Sequence, residues 1–226
     1  MAENKSTQQE ELQVAGWFEK SQDFLEENQQ KLTYVLGGLL IFILGFMGYR
    51  YFFIIPKEKQ ANEQIFMAQY YFESDSFSLA LLGDGNYMGF EELADNFGST
   101  KPGNLSKYYA GICHLNLGNF DDAIQYLTKF KTKDPLLKAV SLGATGDAYS
   151  ELGENDKAID LYKKAAAASD NEITGAIYLS RAAILSKLEE NYSEALKLYI
   201  SLKDKYPGTT EAEEAEKNIA FLEQKN

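Results

Sequence analysis

The residues able to do chemistry are few. Cys113 is the only cysteine and His114 the only histidine in 226 residues. A histidine activates a thiol when the two face each other, and neighbours on a helix do not. One histidine and one cysteine cannot build a zinc site. One cysteine cannot close an intramolecular disulfide, so cysteine usage says nothing of the redox compartment. Asp121-Asp122 fall where a helix start favours carboxylates. Gly83-Asp84-Gly85-Asn86 is a turn signal, and it lacks the spaced oxygens and closing glutamate of a calcium loop. There is no phosphate loop of the GxxxxGK type and no Ser-His-Asp set. No catalytic site, metal, cofactor or small-molecule substrate is expected. A net charge of −12 with a pI near 4.6 excludes the basic footprint of a nucleic-acid binder. The chain is expected to act by contact with other proteins.

Those contacts depend on two kinds of element. The first is the stretch 32–55, LTYVLGGLLIFILGFMGYRYFFII, whose only charge is Arg50. Roughly 20 apolar residues cross a bilayer core. A soluble helix would show a polar face, and this one shows none. It follows thirty-one mostly polar residues, and YFFIIPKEKQ after it offers no small-residue cleavage site, so it reads as an uncleaved signal anchor. Gly37, Gly38, Gly45 and Gly48 fall at about 0°, 100°, 80° and 20° on a helical wheel. They share one face. Small residues let spans pack closely, so this face either receives a partner's transmembrane helix or reflects the commonness of glycine in spans. Arg50, with Tyr49, Tyr51 and Phe52, reads as a snorkelling cation in an aromatic belt.

Residues 1–31 form the tail before the span. Val14, Phe18 and Leu25, with Trp17 and Phe24, mark a short amphipathic juxtamembrane helix from Leu12. Charge gives little on orientation: Lys20 and Lys31 precede the span, Lys57 and Lys59 follow it, and Arg50 leans with the latter. The count is nearly balanced and slightly favours a cytoplasmic carboxyl-terminal domain.

The second kind of element is a repeat. YYAGICHLNLGNFDDAIQYLTKFKTKDP, LGATGDAYSELGENDKAIDLYKKAAAASD and LSRAAILSKLEENYSEALKLYISLKDKYP align on Gly111, Gly146 and Ala183. Ala123, Ala158 and Ala195 are 35 and then 37 residues apart. Period and pattern resemble the tetratricopeptide repeat, a helix–turn–helix unit of about 34 residues. The small residues let helix A approach helix B, Phe120 and Tyr192 cover the turn, and Leu127, Tyr162 and Tyr199 fill the space between repeats. Pro135 and Pro207 are expected to end helix B. The usual tryptophan of the first helix is missing, and a longer link precedes Gly175-Ala176. The expected fold is all-α: a single transmembrane helix over 32–55, then a tetratricopeptide-repeat solenoid over 60–226. Its repeats run over about 60–99 (degenerate, with an insertion at GDGNY), 104–137, 139–172 and 176–209, and a capping helix over 209–224 closes it.

Such an array presents a concave groove lined by its A helices. The groove positions here are Tyr108, Ile112 and Asn116; Gly143, Asp147 and Glu151; Ser180, Ile184 and Lys187. The clamp for acidic chaperone tails needs Lys, Arg and Asn together. Lys187 and Asn116 beside two acids do not make it. The mixed lining suits an extended or helical peptide.

Phe24-Leu25-Glu26-Glu27-Asn28 before the span, Gly48-Tyr49-Arg50-Tyr51 at its far end and the repeats beyond resemble the YfgM-like family, ancillary subunits of the SecYEG translocon. The chain also looks like single-span repeat proteins common in Bacteroidetes. The resemblance implies a cytoplasmic amino terminus, one helix in the bacterial inner membrane and a periplasmic repeat domain. It implies partnership with the SecYEG translocon, a membrane-anchored chaperone of the PpiD type and secreted clients. Long domains translocate regardless of local charge. The rival reading is a cytoplasm-facing repeat scaffold, or a regulator of another membrane complex.

Overall fold

A computed structural model of the chain describes residues 28–169 and 171–225. The amphipathic segment from Leu12, with Trp17 and Phe18, lies outside them. Every regular element among the described residues is helical, and the chain divides into two units at Pro56/Lys57.

In the first unit, α1 spans Gln29–Tyr49 and buries none of its residues. One helical stretch beginning at Gln29 is long and apolar enough to cross a membrane. Thr33 lies inside it, and its Oγ1 donates to the Gln29 carbonyl at 2.8 Å, so the hydroxyl is satisfied without water. A π-helical turn, Arg50–Ile54, follows, and the Ile55 N–H reaches the Arg50 carbonyl five residues back. The sequence pattern did not announce this turn. Pro56 has no N–H to give Phe52, and its ring crowds that carbonyl. The widened turn lies directly before it. Tyr49 and Phe53 stack across it, with ring centroids 5.5 Å apart.

The second unit begins within α2 (Ile55–Glu73) and continues through α3 (Phe77–Leu82) and α4 (Phe90–Phe97). The GDGN segment between α3 and α4 is closed by a Gly83–Met88 bridge. Asp84 Oδ1 accepts from the Asn86 and Tyr87 N–H groups at 2.9 and 2.8 Å, and Oδ2 accepts from the Tyr71 hydroxyl at 2.8 Å. An aspartate fixing its own turn is a structural role. Ala61, Ile65 and Ala68 of α2 form one core with Phe90, Leu93 and Cys113. Phe72 packs edge-on against Phe77, Phe90 and Tyr109.

Three helix pairs follow: α5 (Lys101–Asn116) with α6 (Phe120–Lys129), α7 (Pro135–Glu151) with α8 (Asn155–Ala168), and α9 (Glu172–Leu188) with α10 (Tyr192–Lys205). α11 (Thr210–Glu223) closes the array. Each first helix is capped: Thr100, Asp134 and Asn171 accept from the N–H three residues on, and Thr209 caps α11 in the same way. Such caps stabilise helix starts by about 1 kcal/mol each. Pro135 is the first residue of α7 behind its Asp134 cap, so it opens the next repeat and does not end helix B. A first-turn proline loses no hydrogen bond.

Small residues set the spacing inside each pair. A Cβ on Gly111 would come to 2.5 Å from Leu127 Cγ, and one on Gly146 to 2.8 Å from Tyr162 Cε1. Leu127 and Tyr162 therefore fill the space within a repeat, between its two helices. They also meet the next repeat, as expected: Tyr162 stacks on the Tyr178 ring of α9, centroids 6.3 Å apart, and Leu127 shares a pocket with Ser141 and Leu142 of α7. The turn between paired helices takes a left-handed residue: Gly118 at φ 78°, Gly153 at φ 74°, and Glu190 at φ 60° in the third pair. Neighbouring repeats are joined by a polar ladder one period apart. It comprises Asn155 to Glu189 at 2.6 Å, Lys163 to Glu194 at 2.8 Å, Lys187 to Asn218 at 2.7 Å, and Arg181 to Asp147.

Candidate protein-interaction surface

The A helices α5, α7 and α9 carry the nine groove positions, and the ladder decides what those positions can offer. Asp147 stands at the centre. Its Oδ1 accepts from the Tyr162 hydroxyl at 2.8 Å and is ion-paired with Arg181. Arg181 also lies over the Tyr178 ring, 5.6 Å from its centroid. Its guanidinium is thus held on two sides and still partly open to solvent. Burial works against its charge, yet the hydrogen bond and charge of Asp147 outweigh burial and raise its pKa. Burial, and then the Asp147 carboxylate, push the Tyr162 hydroxyl well above its usual range, so it remains a donor at any physiological pH.

A cleft of about 610 Å³ opens here, lined by Asn116, Asp147, Ser150, Glu151, Tyr162 and Arg181. Three sequence-derived positions, Asn116, Asp147 and Glu151, are thereby brought together. Ile112 and Tyr108 are half-buried one and two turns before Asn116 on α5, and Tyr108 packs on Phe130 with centroids 5.5 Å apart. Gly143 lies beneath the Tyr178 ring, with no room for a Cβ. Ser180 is buried, so it supports the groove floor. Ile184 is exposed, and Lys187 is spent on Asn218 of α11. Sequence reasoning missed Arg181, the only cation in the cleft. The signal was available: an acid and a base 34 residues apart, one repeat period.

The cysteine–histidine dipeptide resolves into two separate structural roles. Cys113 is fully buried, and burial raises its thiol pKa to about 12. His114 places Nε2 2.9 Å from Glu91 Oε1 and stacks on Tyr126, ring centroids 5.3 Å apart. It pins α4 to α5 and α6. Burial, followed by the Glu91, Asp95 and Asp122 charges, raises the Tyr126 hydroxyl to about 12. Among the described residues no cluster of three or more His, Cys, Asp or Glu side chains could hold a metal ion.

Gly37, Gly38, Gly45 and Gly48 all lie on α1. A Cβ on any of them would meet nothing within 4 Å among the described residues, so packing against those residues does not call for glycine there.

Comparison with curated proteins finds no match. Residues 106–136 and residues 141–173 each match a family model described as tetratricopeptide repeat. These segments take in about two thirds of α5 and of α7 and the whole of α6 and α8, and the array built from them is a tetratricopeptide-repeat solenoid, a scaffold for protein–protein contact.

Proposed function

We propose that the chain is a single-pass inner-membrane scaffold of the YfgM-like kind. Its repeats face the periplasm, and it is an ancillary subunit of the SecYEG translocon, working beside a PpiD-like chaperone on secreted clients. The observation that carries the proposal is the pairing of a helix apolar on all sides, with no buried residue, with an array of interaction repeats. In this reading 1–31 is the cytoplasmic tail, 32–55 the span, and 60–226 the repeat domain with repeats near 104–137, 139–172 and 176–209. Gly37, Gly38, Gly45 and Gly48 receive a partner's helix, since no described residue of the chain fills the space above them. The cleft around Asn116, Asp147, Glu151 and Arg181, with Tyr108, Ile112 and Ile184 beside it, takes an extended or helical peptide.

The test is purification of the tagged protein from native membranes in mild detergent, beside the Gly45→Leu/Gly48→Leu variant. Translocon and chaperone subunits should accompany the wild type and be depleted severalfold from the variant. Recovery of a different complex, or of none, sets the translocon reading aside. Retention by the variant moves the contact from the span to the repeats.

The second reading, a cytoplasm-facing scaffold, draws on Lys57, Lys59 and Arg50 after the span. Lys225→Cys separates the two: labelling by an impermeant reagent in intact spheroplasts supports the periplasmic domain, and protection until lysis supports the rival.

A further inference from the structure

The face of the array opposite the groove carries a second feature. Between α6 and α7 the chain runs without regular structure through residues 130–134, yet it is held firmly. Asn104 of α5 clamps Lys131, its Nδ2 donating to the Lys131 carbonyl at 2.7 Å and its Oδ1 accepting from the Lys131 N–H at 3.1 Å. Thr132 Oγ1 accepts from the Asp134 N–H at 3.0 Å. Beside this fixed linker lies a pocket of about 360 Å³ walled mainly by Leu127, Phe130, Leu142 and Leu161, with Thr128 and Ser141. Ser141 lies two residues from Gly143, about 200° around the helix. The pocket therefore faces away from the groove positions.

Its rim is basic. Lys131 and Lys138 line the opening. The ten residues 129–138 carry four lysines and one acid, Asp134, in a chain of net charge −12. All four lysines are exposed. None takes part in an ion pair among the described residues. Asp134 Oδ1 accepts from the Leu137 N–H. An apolar pocket inside a local patch of the minority charge is the complement of an acidic segment with an apolar anchor.

We propose that this pocket docks an acidic segment of a partner protein, whose leucine-sized or larger apolar side chain enters between α6 and α7 while flanking carboxylates meet Lys131 and Lys138. Other occupants fit less well. The chain's own acidic helix α11 keeps Ala212, Ala215 and Leu222 buried against the array. A lipid surface attracts a broad basic face, whereas here Lys131 and Lys138 flank a single half-open apolar pocket. The proposal stands on the repeat array alone and is independent of the translocon reading.

The test is fluorescence anisotropy on the full chain in uncharged detergent. The probe is a labelled twelve-residue peptide of glutamate and leucine, with its lysine-for-glutamate counterpart as the second probe. The acidic peptide should bind saturably and weaken with salt. K131E/K138E should weaken it at least tenfold, whereas the same charge change elsewhere, K197E/K217E, should shift it less than threefold. T128W, which fills the pocket and keeps the rim charges, should also weaken it at least tenfold. All variants change exposed positions and should keep the wild-type circular dichroism. Absence of saturable binding, or equal binding of the lysine peptide, overturns the proposal. Binding that T128W leaves intact reduces the site to a charge patch of the kind lipid takes, and overturns it too. A dimer of the full chain that K131E/K138E dissolves would assign the pocket to a second copy, with the same result.

Discussion

Gly146→Ala tests the helix approach on which the whole array rests. Two effects oppose each other. In a helix interior alanine is favoured over glycine by about 1 kcal/mol. Against that, the new Cβ would lie 2.8 Å from Tyr162 Cε1 and 2.9 Å from Cδ1, with the Ala158 carbonyl at 3.4 Å. Tyr162 cannot simply swing away. It is nearly buried, at 5% exposure, its hydroxyl is bonded to Asp147, and its ring stacks on Tyr178. Overpacking of this kind costs about 1–3 kcal/mol, and weakening a hydrogen bond to a carboxylate adds about 1 kcal/mol. The net is a loss of about 2 kcal/mol. For a domain of this size that lowers Tm by about 4–8 °C. The third repeat shows the alternative arrangement: Ala183 stands opposite Tyr199, and the buried Tyr199 hydroxyl finds no partner among the described residues. Thermal unfolding of the full chain in detergent, followed by near-ultraviolet circular dichroism of its tyrosines, reads the effect. In a Tyr162→Val background Gly146→Ala should become neutral or stabilising. A Tm at or above wild type for the single variant would refute the reasoning, because helix propensity would then outweigh packing.

Glu190→Gly should stabilise the third repeat by about 0.5–1 kcal/mol, since Glu190 holds a left-handed φ of 60° where the other two repeats place glycine; a raised urea midpoint with an unchanged slope is the expected readout. The Asp84 turn should be acid-sensitive. Backbone hydrogen bonds from Tyr87 and Asn86, then the Tyr71 hydroxyl, hold its carboxyl below the usual carboxylate range. A lowered folded pKa contributes stability above the unfolded value and loses it as pH falls through the folded one. The protection of the Tyr87 amide relative to its intrinsic exchange rate should therefore fall below about pH 4, and Asp84→Asn should remove that pH dependence.

What the sequence determined by itself was whatever is written locally and repeated. A span needs only length and an unbroken lack of charge, and α1 is legible on that ground. The small residues Gly111, Gly146 and Ala183 recur at the repeat period because each repeat solves the same packing problem. The helix pairs and their alternation were therefore readable without coordinates. Tertiary structure alone decided what lies between repeats. Asp147 and Arg181 are 34 residues apart, and only stacking of α7 on α9 makes them one ion pair and opens the cleft beside Asn116. Asn104 and Lys131 meet across 27 residues, and that clamp turns a run of lysines into the rim of a pocket. The direction of a side chain depends on its rotamer and on the neighbour that fills the adjacent space, so Gly143 and Ser180 share the groove register with Asp147 yet lie covered. Periodicity names the face of a helix; the packed neighbours decide which of its residues still reach solvent.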